Sequence, residues 1–161
     1  MRDAERGLTL TEVMIVMALA VVVMLGLVGF YMNSQATWID GSSQAITQRD
    51  GTLLIQTMTE AVRSAARAVV SNYPDAAHQA LFLYASKSAT DPFRCFYWKD
   101  SRVYSGDSQP RDGDPAVVTS PVGRFQLETV DTTLVLMDLV ELPTAKGAPV
   151  RLSSAAALYN R

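Results

Sequence analysis

A single glutamate at the edge of a long uncharged run holds the position most in need of explanation. Glu12 immediately precedes Val13 to Met32, VMIVMALAVVVMLGLVGFYM, twenty residues without a charge. A carboxylate entering apolar surroundings loses its hydration, so it needs a partner or a place at the boundary. The local sequence offers one partner. Thr9-Leu10-Thr11-Glu12 fits a capping box. In that arrangement the Thr9 hydroxyl accepts from the backbone N–H of Glu12, and the Glu12 carboxylate accepts from the backbone N–H of Thr9. The positive end of the helix dipole favours the same placement.

Three aspartates form a second constellation. Asp107, Asp112 and Asp114 surround Gly113, and clustered carboxylates suit a hard cation such as calcium. Their spacing departs from the EF-hand pattern and lacks its distal glutamate, so a solvated turn accounts for them without a metal. No cofactor is expected; calcium is the one cation for which these aspartates are weak candidates. His78 is the only histidine and Cys95 the only cysteine, which excludes a two-histidine zinc site and an intrachain disulfide. Nothing in the sequence brings His78 to Cys95 as a base and nucleophile, and nothing beside Cys95 lowers its pKa. With no glycine-rich phosphate loop either, neither a catalytic residue nor an enzymatic activity is expected. Arg63 and Arg67 fall one helical turn apart, as a small basic contact or a solvated face. The formal charge is -2 over 161 residues, without the basic excess that binding to nucleic acid by counterion release demands. No nucleic-acid partner is expected.

These residues must be carried by a few elements. The chain is 48% apolar and 19% charged, and the apolar excess is concentrated between Val13 and Met32, as a membrane segment rather than a large core would have it. At about 1.5 Å rise per residue, a helix of that length spans a hydrocarbon layer of about 30 Å. Three processing fates are open. A secretory signal would be cut near Ser34-Gln35-Ala36, although the run exceeds the usual apolar core of such signals. An uncleaved signal anchor is the second, and the third rests on what the residues just ahead of the run resemble. Beyond Met32 the chain turns polar, with Trp38 where an amphipathic ring would meet the membrane surface. Gly41-Ser42-Ser43 is a candidate either to interrupt the helix or merely to loosen it.

From Thr52 to Val70 the period is helical, with Leu54, Met58, Ala61, Val62, Ala65 and Val69 on one stripe and Gln56, Glu60, Arg63 and Arg67 on the other side. Asn72-Tyr73-Pro74-Asp75 reads as its stop. The period then changes. Leu81 to Tyr84, Arg94 to Trp98 and Arg102 to Tyr104 are short aromatic and β-branched runs, the last two joined by a turn at Lys99-Asp100-Ser101. Arg124 to Val130 and Thr133 to Leu142 form a further pair turning near Asp131-Thr132. The fold class is α+β, a long helix packed on a C-terminal antiparallel sheet.

Gly7-Leu8-Thr9-Leu10-Thr11-Glu12 ahead of the apolar run resembles the processing site of type IV pilins and type II secretion pseudopilins. The resemblance implies a prepilin leader over residues 1–7, cleavage between Gly7 and Leu8 by a prepilin peptidase, and N-methylation of Leu8. Leu8 stands where the family usually has Phe. It implies a membrane and assembly helix over 8–32 and a pilin-like head over 33–161 that contains the amphipathic helix 52–70. Leu8 and Glu12 share one helix face a turn apart, so the resemblance also implies that Glu12 pairs with the freed Leu8 amine of a neighbouring subunit. TWIDGSSQA, QTMTEAVRSAARA, the FYWKDSRVYS hairpin and the terminal LSSAAALYNR are similar to J-type minor pseudopilins and W-type minor pilins. In those families such subunits prime or cap a filament at its tip. Implied partners are minor and major pilins or pseudopilins, the prepilin peptidase, the inner membrane and the assembly platform. The implied location is a single-pass inner-membrane protein with its head outside the cytoplasm, then the filament. The alternative is an anchored binding module, an adhesion or DNA-uptake subunit whose head captures a ligand.

Overall fold

The computed structural model describes residues 9–73, 75, 78–130, 134–144 and 148–158. Helix α1 runs over Leu10–Ser64, and the chain divides into two compact units, Met1–Gly41 and Ser42–Arg161.

In the first unit the side chains of residues 10–34 are all exposed. An 18-residue window of α1 reaches a mean hydropathy of 2.9 with none of it buried. An apolar surface left bare by its own chain suits lipid or the apolar faces of other helices. Gly41, Ser42 and Ser43 do not interrupt the helix, which continues through them. A helix propensity cost of about 1 kcal/mol for one glycine is too small to stop a helix supported on both sides.

In the second unit the remainder of α1 buries Thr47, Asp50, Gly51, Leu54, Met58, Ala61 and Val62, a stripe at alternating spacings of three and four. The stripe enters one core shared with two antiparallel sheets. The first sheet has the order β1-β2-β3-β4, with β1 Arg67–Asn72, β2 Gln79–Tyr84, β3 Arg94–Lys99 and β4 Arg102–Gly106. The second has the order β5-β6-β7, with β5 Arg124–Val130, β6 Leu134–Leu142 and β7 Val150–Ala157. Leu81, Leu83, Phe96 and Val103 of the first sheet and Phe125, Leu127, Val135, Met137, Val140 and Leu142 of the second meet Leu54, Met58 and Val62 in that core. Each such side chain contributes about 1.5–3 kcal/mol on burial. At Gly51 the helix approaches the second sheet closely: a Cβ there would collide with Leu152 Cδ1 and press on Leu142. The sheets are joined by Leu127, whose N–H donates to Gln79 Oε1 at 2.6 Å.

The helix expected over 52–70 ends at Ser64, six residues early, and Arg67–Asn72 is a strand. The stripe Leu54 to Ala65 is buried as the period requires, but Val69 lies on β1. The Ser64 hydroxyl donates to the Ala61 carbonyl at 2.7 Å, and from Ala66 onward the backbone belongs to the sheet, its N–H donating to the Tyr84 carbonyl at 2.9 Å. Six residues of ladder with β2, including the β-branched pair Val69 and Val70, outweigh a helical pattern carried there by a few alanines. Asn72 therefore ends a strand, and Pro74 lies outside the described residues. The hairpin at Lys99-Asp100-Ser101 forms as expected, with Asp100 at φ 51° and Ser101 at φ 58°. Two successive left-handed residues make the turn whose twist matches the strands. The expected turn near Asp131-Thr132 lies outside the described residues, although β5 and β6 pair antiparallel on either side of it.

Candidate functional site

At the N-terminal turn of α1 the local chemistry closes on itself. Glu12 Oε2 accepts from the Thr9 backbone N–H and from the Thr9 hydroxyl, both at 3.0 Å, while the Glu12 N–H donates to Thr9 Oγ1 at 3.3 Å. This is the reciprocal capping box that the sequence predicts. Thr9, Leu10 and Glu12 are all exposed, so the carboxylate sits on the surface of the helix that also presents the uncharged run. Gly7 and Leu8, the residues of the expected cleavage and N-methylation, lie outside the described residues.

Two of the three loop aspartates take separate roles. Asp112 pairs with Lys99 Nζ at 3.1 Å, which raises the pKa of that exposed ammonium. Asp114 Oδ2 accepts from the Tyr97 hydroxyl at 3.1 Å and from the Arg111 N–H at 3.0 Å. Two of the three carboxylates are thus spent on protein donors. Among the described residues, no group of three or more His, Cys, Asp or Glu stands where it would hold a metal ion. The Asp114 contact instead fastens the loop over the outer face of the first sheet, where Ala80, Cys95 and Tyr97 make a small second core with Tyr73, Phe82 and Tyr104.

Cys95 is fully buried in that second core. Burial pushes its thiol up, and the charges of Asp114 and Asp107 push the same way, the opposite of what a nucleophile needs. Tyr97 is likewise pushed well above the usual tyrosine range, by burial first and then by its bond to Asp114. His78 is elsewhere engaged, with Nδ1 2.6 Å from Asp75 Oδ1 and its ring 4.9 Å from that of Trp98. No hydrogen bond joins His78 to Cys95 among the described residues. Arg67 does not extend a basic helix face with Arg63. It lies on β1, 4.1 Å above the Tyr84 ring, and donates to the Ala89 carbonyl at 3.2 Å, because the helix has ended before it.

One buried ionic residue was not singled out by sequence reasoning. Asp50 is 8% exposed on the core stripe of α1, and its Oδ2 accepts from the Ser120 N–H at 2.9 Å, the Ser120 hydroxyl at 2.8 Å and the Thr119 hydroxyl at 3.3 Å. Burial opposes the charge, but the bonds from Ser120 and Thr119 together prevail and hold the carboxyl below the usual aspartate range. The available signal was its spacing: Asp50 precedes Leu54 by one turn, on the face reserved for apolar residues. Two surface clefts flank these features. One, about 370 Å³, is lined by Arg49, Asp50, Leu53, Arg102 and residues 116–119. The other, about 360 Å³, lies over the outer face of the first sheet and includes Tyr73, Phe82, Tyr84 and Asp91.

Residues 2–28 match the family model described as the prokaryotic N-terminal methylation motif, a stretch that contains Gly7, Leu8 and Glu12. No curated protein and no solved structure gives a significant match. An apolar helix at the N-terminus, fit for membrane anchoring, followed by antiparallel sheets is the α+β architecture of pilins. The chain thus carries a prepilin-type N-terminal motif, shared with type IV pilins, on a pilin-like α+β architecture.

Proposed function

We propose that the protein is a minor pilin or pseudopilin, a structural subunit that primes or caps assembly of a type IV pilus or type II secretion pseudopilus. The observation that carries this is the methylation motif over residues 2–28 on a helix whose apolar face is left bare. On this reading a prepilin peptidase removes residues 1–7, Leu8 becomes the methylated N-terminus, and the chain waits in the inner membrane with its head outside the cytoplasm. In the filament, the Leu8 ammonium of one subunit meets Glu12 of the next. Buried from water among apolar helices, each charge needs the other. The Thr9 cap is compatible with that exchange, since it engages Oε2 and leaves the second carboxylate oxygen for an incoming cation. Catalysis and a resident cofactor have no part in this role.

N-terminal sequencing of membrane-extracted protein tests the first step: Leu8 is expected as the first residue, and a chain beginning at Met1 or after Ala36 refutes the reading. Glu12→Ala tests the second. It should leave cleavage intact and abolish recovery of the protein in sheared filaments with other pilin-like subunits; wild-type recovery would count against the pairing.

A further inference from the structure

The cleft between α1 and the β3–β4 hairpin carries two arginine side chains that the fold leaves unpaired among the described residues. Arg49 from α1 and Arg102 from β4 both line it, together with Leu53, Ala116 and Val117. Both arginines are exposed, and among the described residues neither side chain has a hydrogen bond, ion pair or ring contact. The other charge in the cleft is Asp50, whose Oδ2 is already held by Ser120 and Thr119. We propose that this cleft receives an acidic side chain from a neighbouring pilin-like subunit. The inference rests on the filament reading above for the identity of the neighbour, and on the cleft alone for its chemistry.

Charge selects the guest. Two guanidiniums against one carboxylate leave a single positive charge, which one incoming carboxylate balances. A phosphate dianion would overshoot that balance and face Asp50 across the cleft, and a cation would meet two arginines. Guanidinium forks match carboxylate geometry with paired hydrogen bonds. Leu53, 43% exposed, and the small side chains of Ala116 and Val117 supply an apolar wall for the methylenes of a glutamate or aspartate. The two arginines come from elements far apart in sequence, so they converge only in a folded head. Because their side chains have no partner among the described residues, changing them should leave the fold's stability as it is.

The test uses the full chain in its own host, with a photoreactive residue placed at the exposed rim position Ala116. Irradiation should link it to another pilin-like subunit beside an aspartate or glutamate, mapped by mass spectrometry. Arg49→Glu with Arg102→Glu should lower that yield by about tenfold or more, as loss of charge-paired contacts does, while Leu8 remains the N-terminus and the melting temperature is unchanged. Arg49→Lys with Arg102→Lys, which keeps the charge, should retain most of the yield. Cross-linking unaffected by charge reversal overturns the proposal while leaving the filament reading intact. So does a link to lipid or nucleic acid in place of protein. A chain never processed at Leu8, with no link to a pilin-like neighbour, overturns both.

Discussion

Asp50→Ala is the substitution whose consequence follows most directly from the geometry. It removes the acceptor for the Ser120 N–H, the Ser120 hydroxyl and the Thr119 hydroxyl, and Ser120 is itself buried. A hydrogen bond to a charged group is worth about 1.5–3 kcal/mol, and leaving a buried donor unpaired costs about 1–3 kcal/mol. The three bonds share one oxygen and are not additive, so the expected loss is about 3 kcal/mol. Asp50→Asn keeps an acceptor without the charge and should lose about half of that. The sign with pH is also fixed. The folded carboxyl is held below its unfolded value, so its contribution is fully present above the unfolded aspartate pKa of about 3.9 and disappears as pH falls through the folded pKa. Urea unfolding of the full chain in neutral detergent measures this, with Trp38→Phe in the background so that Trp98 fluorescence reports the head. A double-mutant cycle with Ser120→Ala isolates the contact. If Asp50→Ala costs under about 0.5 kcal/mol, or if the two losses simply add, the clamp does not hold the loop to the helix.

Three further outcomes are expected. Gly51→Val should destabilise the head by about 2 kcal/mol or more, because its side chain must displace Leu152 and Leu142; unchanged stability in the same urea assay would show that the sheet yields freely. Ser101→Gly should stabilise the head by about 0.5–1 kcal/mol, since glycine occupies the left-handed turn position without the Cβ penalty, and a loss would mean that the serine side chain contributes to the turn. Cys95 should resist alkylation by iodoacetamide at pH 8 in the folded chain and react fully in urea, as its burial and raised pKa require. Fast labelling of the native protein would place it in an open site.

Everything legible in the sequence was local. The Thr9 to Glu12 cap and the uncharged run belong to one helix, and the prepilin-type spacing is set by neighbouring residues, so residue types alone dictate these patterns. The β3–β4 hairpin was legible because its turn is only two residues long, and the buried stripe Leu54 to Val62 because a helix repeats its face every three or four residues. What failed was local reasoning where a partner remote in sequence decides. Alanines and valines over 65–70 satisfy a helical period, yet β2 claims that backbone with a ladder of six pairs. With the helix ended, Arg67 leaves the side of Arg63 for the ring of Tyr84.

Tertiary structure alone also divided the strands into two sheets, gave Asp50 a partner seventy positions away, and brought Arg49 beside the same cleft as Arg102. The physical reason is the same in each case. A periodic pattern records which face of an element is apolar, but a buried charge or a cleft is defined by what arrives on the other side. The N-terminal motif marked this chain as pilin-like from its first residues, whereas the clamp at Asp50 and the arginine cleft exist only once the head has folded.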